Sequence, residues 1–457
     1  MEDTKNIRFG LPTFIENSKL RLLMGTLLYL AQGLPQGVLF YAIPSWLAVS
    51  GQSAGVVGSV VAAVTLPWSL KFFLGAIVDR YTFLPMGRRR IWLIGAQACI
   101  VLVFILFAIY SPSPDEIWIV VAFVFTLSSF TALQDVALDA MVIDLTPDDE
   151  RGKINGFMIA GKLVGIAGGT AVTAFFIEYY DFATAMLVAM ILFAIPAVSA
   201  ILIRERPCER YLPWTQGNAS QESIDIKPNA WIPLLRDSLS SLLRRDPILV
   251  IVLSILYGVH QGIADASAPL FAANELGWGE TRFSAMIGSV NIASAVIALS
   301  IGGWATDKFG PGKIALWSAG MASISLAVLI AMEQYWQNGT FYTIWYFSFH
   351  IIVVFFYLCM LTLGMRVCDA HVAATTFTLI TASMAIGMAI GASSLGWLEQ
   401  IGGFHAMFSA ALITIFLSGS VTFGLSRKAG GPAIKETASS ASEDEPRFFE
   451  LHERTQE

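Results

Sequence analysis

The chain is punctuated by apolar stretches of roughly 18 to 25 residues, the length a helix needs to cross about 30 Å of hydrocarbon at 1.5 Å per residue. Twelve of them fall near 22–49, 54–78, 91–110, 117–143, 152–177, 183–203, 248–272, 283–304, 313–332, 341–365, 374–397 and 405–425. A backbone in lipid must satisfy its hydrogen bonds within itself, so repeated runs of this length call for a helical bundle. The expected fold is all-α and integral to the membrane, with twelve transmembrane helices. Only 14% of the residues are charged and 55% are hydrophobic, against about 25% charged in soluble domains. The polar start, Met1 to Lys19, lacks the pattern of a cleaved signal peptide.

Six stretches precede and six follow a polar segment, 204–247, that carries Pro207, Pro213, Pro228 and Pro233. The division expected is a six-helix bundle over 1–203, a cytoplasmic linker over 204–247, a second bundle over 248–425 and a disordered acidic tail over 426–457. Within the linker, Trp231 to Arg245 spaces its apolar residues at three- and four-residue steps, as a helix lying on the inner leaflet or packed on protein would. Basic residues set the orientation. Twenty-five lie on one side of the expected spans, only Arg282 lies on the other, and Lys71 and Lys162 fall inside spans. That asymmetry places both termini in the cytoplasm.

The halves echo one another. Gly75-Ala-Ile-Val-Asp79-Arg80 ends the second stretch and Gly303-Trp-Ala-Thr-Asp307-Lys308 ends the eighth, both G-x-x-x-D-[RK], with the aspartates 228 residues apart. A glycine there permits close helix approach, and an aspartate at a helix end can pair with basic residues or a neighbouring helix N-terminus. Gly75, Asp79, Arg80, Arg88, Arg89, Gly303, Asp307 and Lys308 are therefore candidate gating residues. Two copies at matching places in two six-span halves are similar to the major facilitator pattern, which implies two pseudo-symmetric six-helix bundles. Gly87-Arg88-Arg89-Arg90-Ile-Trp92, Lys71-Phe-Phe, Gln134-Asp135-Val-Ala-Leu-Asp139-Ala140 and Glu150-Arg151-Gly152 resemble the muropeptide permease (AmpG) family and its acetyl-CoA transporter relatives. Cys368 and Ala373-Ala374-Thr375 resemble it more loosely. This resemblance implies a bacterial inner-membrane carrier of a bulky anionic solute; acetyl-CoA-like and ferric-siderophore solutes are the alternatives.

Charges inside a bilayer usually mark a pathway or a coupled ion site. Lys71, Asp135 and Lys162 each lie about 15 Å from the basic end of their spans, near the midplane, where substrate sites of such carriers lie. Asp139 follows Asp135 by one turn on the same face. One lysine and one aspartate merely neutralising each other is the plainer reading. Gln32 and Gln36 flank Gly33-Leu-Pro35, either a helix interrupter baring carbonyls to a cavity or a packing bend. His260, Gln261 and Asp265 lie within two turns, His260 as a proton relay or as a hydrogen-bonded packing residue, and His350 is read in the same way. Trp46, Trp68, Tyr257 and Trp345 read as packing or interfacial aromatics.

A membrane enzyme would need a reactive constellation, and there is no metal-ligand spacing, nucleophile elbow or Walker motif. The scattered Cys99, Cys208, Cys359 and Cys368 suggest no metal site. A scaffold would not need mid-membrane charge. A secondary transporter accounts for the span count, the duplication and the charges together. Expected partners are a small solute, a proton and the lipid bilayer, with no cofactor, metal or nucleic acid and a monomeric state. In that reading the lysines meet the solute's negative charge, and Asp135, backed by Asp139, takes the coupling proton.

Overall fold

A computed structural model describes residues 13–147, 150–225, 244–297, 300–301, 303–367 and 373–426. The linker helix expected at Trp231–Arg245, the tail and Cys368 fall almost wholly outside these residues. Among those described there is no β-strand. The first half comprises α1 (Ser18–Gly37), a π-helical turn (Val38–Ala42), α2 (Ile43–Val49), α3 (Ala54–Ser69), α4 (Lys71–Arg80), α5 (Arg90–Tyr110), α6 (Ile117–Leu145), α7 (Arg151–Tyr179), α8 (Phe182–Ala197) and α9 (Ser199–Leu202). The short α10 (Gln221–Asp225) lies in the linker. The second half comprises α11 (Arg245–Asn274), α12 (Glu280–Ile297), α13 (Gly303–Phe309), α14 (Pro311–Ala331), α15 (Gly339–Arg366), α16 (Ala373–Ser393) and α17 (Leu395–Ser426).

Helices thus occupy every expected apolar stretch. Among the described residues nine helices are long and apolar enough to cross a membrane, and the pair α3–α4, bent by 40°, makes a tenth. Starts are set by local chemistry. Asn17, Ser53, Asp181 and Asn338 accept backbone N–H bonds at the first turns of α1, α3, α8 and α15, and Pro311 opens α14, where its missing N–H is not needed. Breaks have local causes too. Pro67 precedes the α3–α4 bend and Pro35 the π-helical turn, while Gly402 and Gly403 leave helical geometry inside α17, Gly403 with φ 56°.

The bundles share a construction that the G-x-x-x-D motif did not reveal. In the first, α1 and α7 pack backbone to backbone: a Cβ on Gly33 or Gly37 would strike the carbonyl of Lys162 or Ile166, and one on Gly165 or Gly169 that of Leu30 or Leu34. In the second, α11 and α16 do the same. Gly258 and Gly262 meet the Met384 and Met388 carbonyls, and Gly387 and Gly391 those of Ile255 and Val259. Corresponding glycines lie 225 residues apart in the first helix of each pair and 222 in the second. Small residues at every fourth position let helices approach closely in lipid, where dispersion rather than water exclusion drives association. These two pairs make the most extensive helix contacts in the molecule.

Between bundles, α3 packs on α16 and α7 on α12. Gly58 abuts Ala392, Gly55 abuts Gly396 and Gly288 faces Ala167. The α3–α16 contacts and the α7–α12 helix ends lie away from the arginine-rich loop Arg88–Arg90. That loop marks the basic end of the bundle, and the opposite end is called the far end below.

Candidate functional site

Lys71 opens α4 immediately after the break. Proline at position 67 cannot donate to the preceding turn, and α6 covers part of the loosened backbone: Ser128 Oγ donates to the Val64 carbonyl (2.5 Å) and accepts from Trp68 Nε1 (3.1 Å). The break therefore aims Trp68 and Lys71 at α6. There Lys71 pairs with Asp135, whose side chain is 5% exposed against 23% for the lysine. One turn along α6, Asp139 accepts the Tyr29 hydroxyl of α1.

The third midplane charge joins through an aromatic ring. The ammonium groups of Lys71 and Lys162 lie 5.2 and 5.8 Å from the Trp68 ring centroid, a cation–π arrangement that partly compensates two nearby cations. Lys162 interacts electrostatically with Asp135, Lys71 and Asp139 but makes no ion pair among the described residues. Tyr357 of α15, in the other bundle, faces the Lys71–Asp135 pair. The cluster thus holds two lysines and two aspartates around one indole, with a phenol from each side.

In the second bundle, Tyr257 donates to Gln261 (3.2 Å), which donates to Asp265 (2.8 Å), at steps of one turn along α11. Tyr41, which follows Pro35 in the π-helical turn, faces Asp265 from the first bundle. His260 makes no hydrogen bond to this row, although its ring lies 6.2 Å from that of Tyr257. Its Nδ1 lies 2.9 Å from the Ala411 carbonyl of α17 and its ring packs against Phe349, so the structure separates it from Gln261 and Asp265. His350 stacks on Tyr346. Gln32 and Gln36 are buried; neither amide atom of Gln32 nor the Gln36 Nε2 has a partner among the described residues. The glycine between them serves the α1–α7 contact.

Three of the cluster's side chains escaped the sequence reading. Trp68 was grouped with packing aromatics, although its place three residues before Lys71 puts both on one helix face. Tyr29 and Tyr357 carry no local signal, since only the tertiary fold brings them to Asp139 and Lys71. Trp46 and Trp345 are packing residues: Trp46 lies against Phe182, and Trp345 Nε1 donates to the Ser325 carbonyl (3.0 Å).

At the basic end, Asp79 pairs with Arg89, which also donates to Asp144 (3.1 Å). The first motif aspartate is thus clasped within its own bundle, tying α4 to the base of α6, and Gly75 lies beside Val136 of α6. Arg80 is exposed. Arg88 is buried, and burial first and the neighbouring Arg89 second pull its guanidinium below the usual pKa. The linker binds the same loop. Glu205 accepts the backbone N–H groups of Arg88, Arg89 and Arg90 at 2.9, 2.7 and 2.8 Å. Those amides begin α5 and are unsatisfied within it, and their partial positive charge suits a carboxylate. Of the second motif, Gly303 opens α13 and Lys308 lies 5.4 Å from the Phe309 ring centroid; the Asp307 side chain is outside the described residues.

Two glycine-matched helical bundles with a charged cluster between them define a membrane carrier, and the sequence model of the Major Facilitator Superfamily matches residues 25–392. The chain belongs to that superfamily and is a multi-pass integral membrane transporter of small molecules. Within it, the chain resembles the AmpG permeases. It is 22% identical over 392 residues to the anhydromuropeptide permease of Escherichia coli K12, spanning 83% of this chain and 74% of that one. It is 22% identical over 300 residues to a putative AmpG transporter of Rickettsia prowazekii, 64% of this chain and 69% of that one. An uncharacterized Haemophilus influenzae protein is 23% identical over 300 residues, 64% of this chain and 66% of its own length. The solved nucleoside transporter NupG shares the fold, with a TM-score of 0.65 at 13% identity over 90% of this chain and 99% of that one.

Proposed function

We propose that this transporter carries a bulky anionic solute such as an anhydro-muropeptide together with protons, by alternating access, as a monomer in the bacterial inner membrane with both termini cytoplasmic. The likeness to AmpG permeases supports the solute class, and the one-sided distribution of basic residues supports the orientation. The observation that carries the coupling is the charge balance around Trp68. Lys71 is neutralised by Asp135 and Asp139 is held by Tyr29, which leaves Lys162 as the cation without an ion-pair partner among the described residues. Net charge in a low-dielectric site is costly, so an arriving anion requires that a carboxylate be discharged. When the solute engages the lysines, Asp135 loses its counter-ion, and a carboxylate so stripped takes up a proton. Solute and proton then move together.

In liposomes with an imposed pH gradient, Asp135→Asn is expected to abolish proton-driven accumulation while sparing equilibrative exchange. Lys162→Ala and Lys71→Ala should weaken solute binding itself, each more than His260→Ala. Normal pH-dependent accumulation by Asp135→Asn would overturn the assignment. Thermal stabilisation by a panel of muropeptides, acyl-CoA and siderophores identifies the solute, because a ligand that binds the folded protein raises its apparent stability by mass action.

A further inference from the structure

Two hydrogen bonds join the bundles at the far end, and they are related by the internal duplication. Glu178, in the last turn of α7 in the first bundle, accepts the Thr281 amide at the start of α12 in the second (2.7 Å). Glu399, in the opening turns of α17 in the second bundle, accepts the amide of Ala54, the first residue of α3 in the first (3.1 Å). The carboxylates are 221 residues apart and the amides 227, close to the spacing of the glycine and G-x-x-x-D echoes. Each carboxylate therefore crosses from one bundle to the N-terminus of a helix in the other.

Both N-termini are prepared for it. Ser53 caps α3 by accepting from Val56 and leaves the Ala54 amide to Glu399. Before Thr281, a Cβ on Gly279 would come within 2.9 Å of the Glu178 carboxylate, so glycine leaves room for the carboxylate where it now sits. A helix N-terminus carries about half a positive charge on its unsatisfied amides, which makes a carboxylate there a charge-assisted acceptor. Glu178 and Glu399 are both exposed and stand near helix ends beyond the apolar spans, where a carboxylate can let go without stranding a charge in hydrocarbon.

Resting on the alternating-access reading above, we infer that Glu178 and Glu399 are a reciprocal pair of clasps that hold the far end shut, and that their release is a step in opening it. The helices they grip, α3 and α12, are the ones whose continuations, α4 and α13, carry the two G-x-x-x-D motifs at the basic end. The first of these crossings thus bears a holding contact at each end, Glu399 on the Ala54 amide and Arg89 on Asp79.

The test uses spin labels at Tyr180→Cys and Gln400→Cys in a full chain whose own cysteines are serine, with the far-end distance distribution read in nanodiscs. Glu178→Gln and Glu399→Gln each keep an acceptor and remove the charge. Each is expected to raise the open-to-closed ratio by about 2- to 5-fold, and the double variant by about the product. Raising salt from 0.05 to 0.5 M should move the parent toward the double variant, since exposed charges are screened, and this reading needs no substitution at the clasps. Glu116→Gln is the control, because that carboxylate accepts from Ser113 and Tyr110 within its own bundle; it should leave the ratio unchanged. A double variant with the parent's ratio, or an equal shift in Glu116→Gln, overturns the clasps while leaving the transport cycle standing. A far end that opens in none of these proteins, even with solute present, overturns alternating access and the clasps together.

Discussion

Gly33→Ala tests whether the direct α1–α7 contact matters to the site as well as to the fold. The added Cβ would sit 2.9 Å from the Ile166 amide nitrogen and nearer still to the Lys162 carbonyl oxygen, both backbone atoms with no side-chain freedom to yield. Relief requires the helices to part by roughly 1 Å, and overpacking of this kind costs about 1–3 kcal/mol. Alanine returns up to about 1 kcal/mol through its better helix propensity. In a chain of 457 residues, the net loss of about 1–2 kcal/mol corresponds to a fall of roughly 1–2 °C in the unfolding midpoint. Because the displaced carbonyl belongs to Lys162, the shift also moves that ammonium against Trp68, and solute-dependent stabilisation should shrink. Gly156→Ala on the same α7 is the matched control, since a Cβ there meets nothing within 4 Å and should hold or raise the midpoint. Thermal unfolding of the purified protein, with and without solute, reads both effects. A Gly33→Ala midpoint equal to or above that of the parent would refute the reasoning.

The linker should respond to pH. Burial first and Glu205 second push the Glu209 carboxyl from 4.5 up to about 7, so its contribution to linker docking is complete below about pH 4.5 and is lost as pH rises through about 7. Hydrogen exchange over 204–225, corrected for intrinsic rates, should show looser docking at pH 8 than at pH 5.5; Glu209→Gln should flatten that difference, and a variant that tracks the parent counts against it. Asp79→Asn should free Arg89 at the basic end, and with Asp307→Asn should alter the balance of inward- and outward-facing states without impairing insertion. Unchanged accessibility labelling in both would exclude a gating role. Reporters fused at Ser113 and Asn338 are expected outside and at Gln216 inside, and a cytoplasmic Asn338 would sink the span assignment.

The fold was legible because lipid imposes one rule on the backbone, and that rule writes itself into run length. The midplane charges were legible for a related reason: Lys71, Asp135 and Lys162 stand alone in apolar surroundings, and a common depth followed from counting residues. Helix rotation was harder to read. His260 and Asp265 sit five residues apart, which is more than one turn and puts them on different faces, so of the two only Asp265 hydrogen-bonds Gln261. The glycine seams at 33/37, 165/169, 258/262 and 387/391 were present as four-residue steps, yet glycine is common in membrane helices, and only the paired carbonyls distinguish a seam from chance. The reach of Lys162 to Trp68, the Tyr29 and Tyr357 hydroxyls and the carboxylate contacts at the far end join residues separated by dozens to hundreds of positions, where no local periodicity reaches.

The bend at Leu70 divides one crossing between two allegiances. Its outer segment, Ala54–Ser69, packs on α16 of the opposite bundle as well as on α6, whereas its inner segment, Lys71–Arg80, is fastened to α6 by Lys71–Asp135 and held at its base by Arg89. A straight, stiff crossing would transmit any displacement of one end to the other, as a seesaw does. A jointed one does not: the outer segment can swing while the inner segment stays clasped, so both mouths can be shut at once with cargo held at the joint. On the transport cycle proposed above, a carrier of this build would pass through a sealed intermediate, and its leak of unaccompanied protons would be set by how seldom the two shutters stand open together.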